Sequence, residues 1–184
     1  MKHYNEEETL LQLQSSDTRL QNKAFESIVT YYSERLYYYI RKIVISHDDA
    51  NDILQNSFIK AWMNIGLFRG ESRLSTWLYK IALNESMTFL NKQNTQNIVS
   101  LDNADSYLTD KLISDDYIEC DEINMNLQKA VLTLPDKQRA VFNMRYFDDM
   151  SYEDMSDIMG TSVGALKSSY HYAVKKIEEF LNRD

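Results

Sequence analysis

A chain of 184 residues, 43 % of them aliphatic or aromatic, is long enough for one domain or two small ones with real cores. One proline and four glycines exclude a turn-rich all-β protein, and the single cysteine, Cys120, excludes an internal disulfide or a cysteine zinc site. The net charge of −8 argues against nucleic-acid binding until it is located along the chain, and no apolar run or signal-peptide core points to a membrane, so a cytoplasmic protein without membrane insertion is expected.

Long runs of helix-compatible residues predict an all-α fold. Residues 1–93 divide into four segments. A short helix is predicted over 6–14 and a long one over 21–45, with Phe25, Ile28, Val29, Tyr32, Leu36, Tyr39, Ile40 and Ile43 on its inner side. Tyr31, Tyr32, Tyr37, Tyr38 and Tyr39 encircle that helix and suit packing and contacts from hydroxyl to water. A third helix is predicted over 48–65, with Leu54, Phe58, Ala61, Trp62 and Ile65 as its apolar stripe. At about 100° per residue, Asp49, Asp52, Ile53, Asn56, Ile59, Lys60 and Met63 fall on the other side. A face mixing isoleucine and methionine with aspartate fits a partner that is itself apolar and basic, and burial against another helix fits the same pattern. In the fourth segment the loop 68–75 feeds a helix predicted over 76–84. Aromatic residues there interleave with Arg69, Arg73, Lys80 and Lys92. That mixture suits melting or single-stranded DNA, because bases stack on rings while cations meet phosphates. The plainer alternative is that Phe68 and Trp77 are core.

Residues 94–122 lack apolar periodicity and are rich in Asn, Asp, Ser and Thr, as a flexible linker would be. They carry Lys111 against eight acidic residues, whereas 1–93 hold eleven charges of each sign and 123–184 are nearly balanced. The acidity therefore belongs to the linker, and the flanking helical domains are free to present local basic faces. Unaided DNA affinity would be weak, because phosphate neutralisation supplies most of it, so a larger partner is needed to bring the chain to DNA.

In residues 123–184, Pro135 opens a helix and a helix-turn-helix follows. Ser151 is placed to cap a short helix through Met159, Gly160 and Thr161 to make the turn, and Ser162 to cap a second helix to about Leu181. Val163, Leu166, Tyr170, Val174, Ile177 and Leu181 share one face of that last helix. Ala165, Lys167, Ser168, His171, Tyr172 and Lys175 lie opposite. Small, basic and hydrogen-bonding side chains after a tight turn suit a reader of the major groove, although an ordinary helical hairpin satisfies the same pattern. No enzyme is expected. His3, His47 and His171 lie in separate segments, no His-Glu-x-x-His, phosphate loop or nucleophile elbow is present, and nothing calls for a metal or cofactor.

Two blocks carry a family signature. One is the run from Asp49 through Asp52, Ile53, Gln55, Asn56 and Phe58 to Trp62, continued by Phe68-Arg69-Gly70-Glu71-Ser72 and by Leu74-Ser75-Thr76-Trp77 through Ala82. The other is Leu134-Pro135, Arg139, Tyr152-Glu153-Asp154-Met155 and Ser162 through Ser168. In order and spacing both resemble the extracytoplasmic-function (ECF) class of bacterial RNA polymerase sigma factors, from about Asn22 onward. The resemblance implies a sigma domain 2 over 1–93 that binds the polymerase clamp helices and opens the minus-ten element. It also implies a linker over 94–122 that threads the polymerase cleft, and a sigma domain 4 over 123–184 that binds the flap and reads the minus-thirty-five element. Core RNA polymerase and promoter DNA are the implied partners, with an anti-sigma factor as the implied antagonist.

By the same resemblance, Asp52, Ile53, Gln55, Asn56 and Ile59 map to the surface that meets the clamp. Phe68, Arg69, Ser72, Arg73, Lys80 and Asn84 map to minus-ten recognition, where a flipped base is held and Asn84 is a hydrogen-bonding candidate. Lys167, Ser168, His171 and Tyr172 map to minus-thirty-five recognition. Asn56 stands where an acid is usual, and Leu83, Asn91, Ser169, Tyr172 and Val174 stand where basic residues are frequent. Weaker phosphate contact and an altered minus-thirty-five preference are expected from these departures. Two other readings of the residues stay open: a dimeric operator-binding regulator that uses the outer face of 49–63 to pair, and a helical adaptor that binds polymerase without reading DNA.

Overall fold

The structure is a computed structural model that describes residues 4–68, 70, 72–97 and 122–182. Its described residues fold into eight α-helices and one short 3-10 turn, with no strand among them. Each helix begins where local chemistry permits. Asn5 caps α1 (Glu6–Leu13) by accepting the Glu8 N–H at 3.2 Å, and three glutamates occupy its first turn. Asp17 caps α2 (Thr18–Val44), whose last turn carries Arg41 and Lys42. The turn out of α2 runs through Ile45 at φ 70°, left-handed backbone that costs a β-branched residue about 1–3 kcal/mol. Ile45 is buried, which holds it there, and Ser46 caps α3 (His47–Asn64). The 3-10 turn Ile65–Leu67 and the loop through Gly70, at φ 73°, lead into α4 (Leu74–Asn97).

The C-terminal half follows as α5 (Glu122–Leu132), α6 (Asp136–Tyr146), α7 (Tyr152–Met159) and α8 (Val163–Leu181). Pro135 stands at the start of α6, where its missing N–H costs nothing. Ser151 caps α7, Gly160 ends it at φ 62°, and Ser162 caps α8. All three termini fall where the sequence places them.

Helices α2, α3 and α4 pack together, with α1 laid against α2. A second core joins α5, α6 and α8 through Ala130, Val131, Leu134, Phe142, Ala173 and Ile177. The larger core is shared between the halves: Ala140, Val141, Met144, Met155, Ile158 and Leu166 belong to one cluster with Ile28, Leu36, Ile43, Leu78 and Leu90. The halves meet where α7 packs on α4 and α6 packs on α2. Lys42 and Asp148 form an ion pair across this joint, and the Asn143 amide donates to the Lys42 carbonyl at 2.8 Å. Near its far end the Asn94 amide donates to Asp136 at 3.2 Å.

Three helix ends differ from the sequence reading by two residues or more. Helix α2 starts at Thr18, and α4 starts at Leu74 and continues to Asn97, thirteen residues past the predicted end at 84. Ser86 and Leu90 are buried and Asn94 reaches Asp136, so tertiary contact sustains a polar stretch that has weak helical periodicity of its own. Residues 94–97, read as linker, are thus helical, and the remaining linker expectation over 98–121 lies outside the described residues.

The tyrosine run packs, as expected. Tyr32 and Tyr39 are buried while Tyr31 and Tyr38 stay partly exposed. Burial first, and then Glu6, pushes the Tyr4 phenol up to about 12 and raises Tyr32 further. Burial and then Asp148 raise Tyr39 and Tyr79. Above pH 10, the ordinary tyrosine value, the unfolded chain releases these protons while the folded chain holds them. Stability should therefore be complete below pH 10 and fall steadily toward pH 12. Thermal melts followed by circular dichroism between pH 8 and pH 11.5 check this, and a flat melting temperature over that interval would contradict it.

Candidate functional site

The outer face of α3 is only partly what the periodicity predicts. Asp52, Gln55, Asn56 and Ile59 are exposed, with Ile59 at 51 % and Met63 at 75 %. Ile53 is a correction: it is 3 % exposed and belongs to the core. Helix α3 is pinned between α2 and α4, so two of its sides are buried, and a single-stripe reading of the wheel assigns the second side to solvent. Phe58 and Ala61 are core as expected, whereas Trp62 is partly exposed and tilts against Phe25 at 4.9 Å. None of the C-terminal helices is among the main neighbours of α3, so the exposed strip Asp52–Asn56–Ile59–Met63 is open.

Beside that strip, α3 and α4 flank an open cavity of about 480 Å³. Its walls are Lys60, Asn64, Leu67, Trp77, Ile81, Asn84, Glu85 and Thr88. Trp77 packs at its back against Phe68, with ring centroids 5.3 Å apart, so the two rings are neither wholly core nor wholly free. The Lys60 ammonium is paired with the Glu85 carboxylate at 2.5 Å. Asn84 is exposed, and no described residue takes up its side-chain amide. Lys80, one turn before Asn84, is exposed and makes no ion pair among the described residues. Ser72 and Arg73 are exposed where the chain enters α4, and Arg69 lies outside the described residues. Leu67, Glu85 and Thr88 line the cavity but escaped the sequence reading; for Glu85 and Thr88, the i, i+4 steps from Ile81 and Asn84 were the available signal.

Helix α4 has three faces with separate duties. Leu74, Leu78 and Ala82 are buried in the bundle, and Trp77, Ile81, Asn84 and Thr88 face the cavity. The third face carries Tyr79, stacked edge-on against Tyr39 at 4.8 Å and close to Asp148, and Asn94, bonded to Asp136. Leu83 and Leu90 lie between these two on the same side and are buried. Leu83, read as a lost cation on a DNA-facing surface, is therefore a core side chain.

In the C-terminal half α8 offers Lys167, Ser168, His171 and Tyr172 to solvent. Lys167 sits 5.5 Å from the Tyr152 ring centre, a cation–π contact that orients it toward the α7 side of the helix pair. Ser168 back-bonds to the Gly164 carbonyl at 3.1 Å, and His171 and Tyr172 leave their polar atoms unpaired among the described residues. Leu166, Ala173 and Ile177 form the buried side; Ala173 joins it and Leu181 does not, since the helix runs out past the core. His47, the first residue of α3, has its ring between the Tyr37 hydroxyl at 2.7 Å and the Asn51 amide at 3.0 Å. Among the described residues no group of His, Cys, Asp and Glu could hold a metal ion, and no helix is long and apolar enough to cross a membrane.

Residues 28–96 match the family model of sigma-70 region 2, and residues 124–177 match sigma-70 region 4. The ECF RNA polymerase sigma-E factor of Haemophilus influenzae is 33 % identical over 165 residues, covering 85 % of this chain and 86 % of that one. The RNA polymerase sigma-H factor of Pseudomonas aeruginosa is 30 % identical with 86 % of each chain covered, and the ECF RNA polymerase sigma factor SigW of Bacillus subtilis is 29 % identical over 80 % of this chain and 83 % of its own. Two solved structures share the fold. CnrH in complex with the cytosolic domain of CnrY superposes with a TM-score of 0.68 at 20 % identity over 97 % of this chain and 98 % of its own. The sigma factor RpoE of Bartonella quintana, in complex with the anti-sigma factor NepR, superposes with a TM-score of 0.66 at 23 % identity over 88 % of this chain and 99 % of its own.

Proposed function

The chain belongs to the extracytoplasmic-function sigma factors of bacterial RNA polymerase, and we propose that it divides promoter recognition among three exposed surfaces on two halves that must part to work. Its function is that of a promoter-specificity subunit, which binds core RNA polymerase and directs initiation at a particular promoter set. Polymerisation chemistry is left to the core enzyme. The proposed division keeps residues 1–97 for core binding and the minus-ten element, 98–121 as an acidic linker suited to a basic cleft, and 122–184 for the minus-thirty-five element.

The exposed strip Asp52–Gln55–Asn56–Ile59, extended by Met63, is the proposed clamp contact, since apolar and acidic groups side by side suit a basic helical partner. Ile53 supports that strip from beneath. The minus-ten surface is proposed at the cavity between Trp77 and Asn84. This is the single observation that carries the reading: a ring to stack on, a free amide to hydrogen-bond a base edge, and Lys80 and Arg73 nearby for phosphate. On α8, Lys167 is assigned to phosphate, and Ser168, His171 and Tyr172 to base edges.

The packed joint between the halves adds a requirement. Two promoter elements centred about 25 base pairs apart are separated by roughly 85 Å along B-form DNA at about 3.4 Å per pair. A globule of this size is about 40 Å across. The α2–α6 and α4–α7 contacts leave every proposed surface exposed, yet they hold the two DNA readers too close together. Engagement of a promoter therefore requires the joint to open. Its polar groups support reversibility: Asn143 Oδ1, Asp148 Oδ2 and the Tyr39 hydroxyl are buried without a hydrogen-bond partner among the described residues, each costing about 1–3 kcal/mol. An anti-sigma factor is the proposed antagonist, in keeping with the complexes in which the two fold relatives were solved.

The assignment on α8 is tested by selecting promoter sequences with the parent and three variants in complex with core polymerase. Lys167→Ala should lower affinity across all sequences, by about threefold to tenfold, and flatten its salt dependence by about one charge. Ser168→Ala and His171→Ala should instead shift the preferred minus-thirty-five sequence. An unchanged consensus in both would reject the assigned reading face.

A further inference from the structure

The role of α1 is unassigned by everything above, and one contact gives it a task. The Glu6 carboxylate reaches across the bundle: Oε1 accepts the N–H of Leu74 at 3.2 Å, and Oε2 accepts from the Tyr32 hydroxyl at 3.2 Å. Leu74 is the first residue of α4, whose first intrahelical bond runs from Trp77 N–H to the Arg73 carbonyl. The N–H groups before Trp77 need outside partners. Helix α4 has no acid in its first turn, and Arg73 just before it puts a cation at the positive end of the helix dipole. Most other helices carry their own compensation: α1, α3, α6 and α7 have acids in the first turn, and α2 and α8 have capping side chains. Helix α4 receives its carboxylate from a residue 68 positions away.

The carboxylate is itself firmly held. Tyr32 is buried on α2 and lies edge-on to Tyr4 at 5.8 Å, while Tyr4 stacks on Tyr31 at 4.1 Å. Asn5 caps α1, and the Thr9 hydroxyl bonds the Asn5 carbonyl at 2.7 Å, so the residues flanking Glu6 are fixed from both sides. We infer that Glu6 is a positioning residue for minus-ten recognition: through Leu74 it sets the start of α4, and so the placement of Trp77, Lys80 and Asn84 at the cavity. The inference rests on the minus-ten reading of that cavity. It makes α1 part of the DNA reader without touching DNA.

The test uses full-length Glu6→Ala, Glu6→Gln and Asn84→Ala with core polymerase. Core affinity is measured for each, together with the rate of promoter opening by 2-aminopurine fluorescence on a promoter recovered in the selection above. Glu6→Ala should slow opening about tenfold, as expected for a lost charged hydrogen bond at a helix terminus, with core affinity within twofold of the parent. Glu6→Gln retains an acceptor oxygen without the charge and should fall between the two. It should also discriminate less sharply between the preferred minus-ten strand and single-base variants, which a loss of bulk stability would not produce. Opening within twofold of the parent for Glu6→Ala, while Asn84→Ala is slow, would overturn the inference. Equal losses of core affinity and opening would overturn it too, by making Glu6 a general brace. If Asn84→Ala also opens at the parental rate, the minus-ten reading of the cavity fails first and the inference falls with it.

Discussion

The double variant Ile59→Asp, Met63→Asp is expected to lose co-purification with core RNA polymerase while keeping the helical signal and melting temperature of the parent. Both side chains are at least half exposed, so charging them removes little from the fold. In the complex the same positions would meet the apolar part of the partner's apolar and basic surface. Losing two apolar contacts and stranding two carboxylates there is worth about 3 kcal/mol or more, a drop in affinity of about a hundredfold. Ile53→Asp should behave in the opposite manner. Its side chain lies in the core between α2 and α4, where an unpaired charge costs several kcal/mol, so the N-terminal half itself should unfold. Circular dichroism melts and a pull-down with core enzyme, run on both proteins, separate the outcomes. Retained core binding by the double variant would reject the proposed clamp strip.

The second large effect concerns the joint between the halves. In a Cys120→Ser background, cysteines placed at Asn94 and Asp136, whose side chains touch, can be bridged by a short cleavable bismaleimide. The bridged protein should support no promoter-dependent transcription, because the helix-turn-helix is then held against α4, and cleavage of the linker should restore it. Core binding through α3 should survive bridging, since the main contacts of the joint are made by α2 and α4 and not by α3. Full transcription from the bridged protein would show that the closed arrangement is compatible with promoter engagement.

The features legible in the sequence are those that depend on neighbours in the chain. Ser151, Gly160 and Ser162 punctuate the helix-turn-helix where predicted, because a capping hydroxyl and a left-handed glycine act within four residues. The exposed face of α8 and the inner face of α2 follow from one buried stripe each. Apart from the start of α2 at Thr18, which the neighbouring Asp17 cap sets, the misreadings involve contacts between distant segments. For Ile53 the helical wheel leaves partner contact and burial both open, and the resemblance points to the clamp; only the fold reveals that α3 is covered on two sides. The sequence pattern ends α4 at 84 because the groups that sustain it to Asn97 belong to α6 and α7, more than forty residues on. Leu83 reads as a missing cation in the sequence for the same reason. The Glu6 bond to Leu74 gives no signal in either segment alone; the nearest hint is an α4 first turn without an acid. At the cavity, Trp77 is legible from the mixing of aromatic and basic residues and Asn84 from the family resemblance, while Leu67, Glu85 and Thr88 need the fold to bring α3 and α4 together.

The most direct measurement of the central claim is in vitro transcription with sigma-free core RNA polymerase on a library of genomic promoter fragments, with and without this protein. Discrete new transcripts with fixed start points, lost in the Asn84→Ala and Ile59→Asp, Met63→Asp variants, are the predicted result. Tight core binding without any new transcript, given a matched core enzyme, would contradict the account.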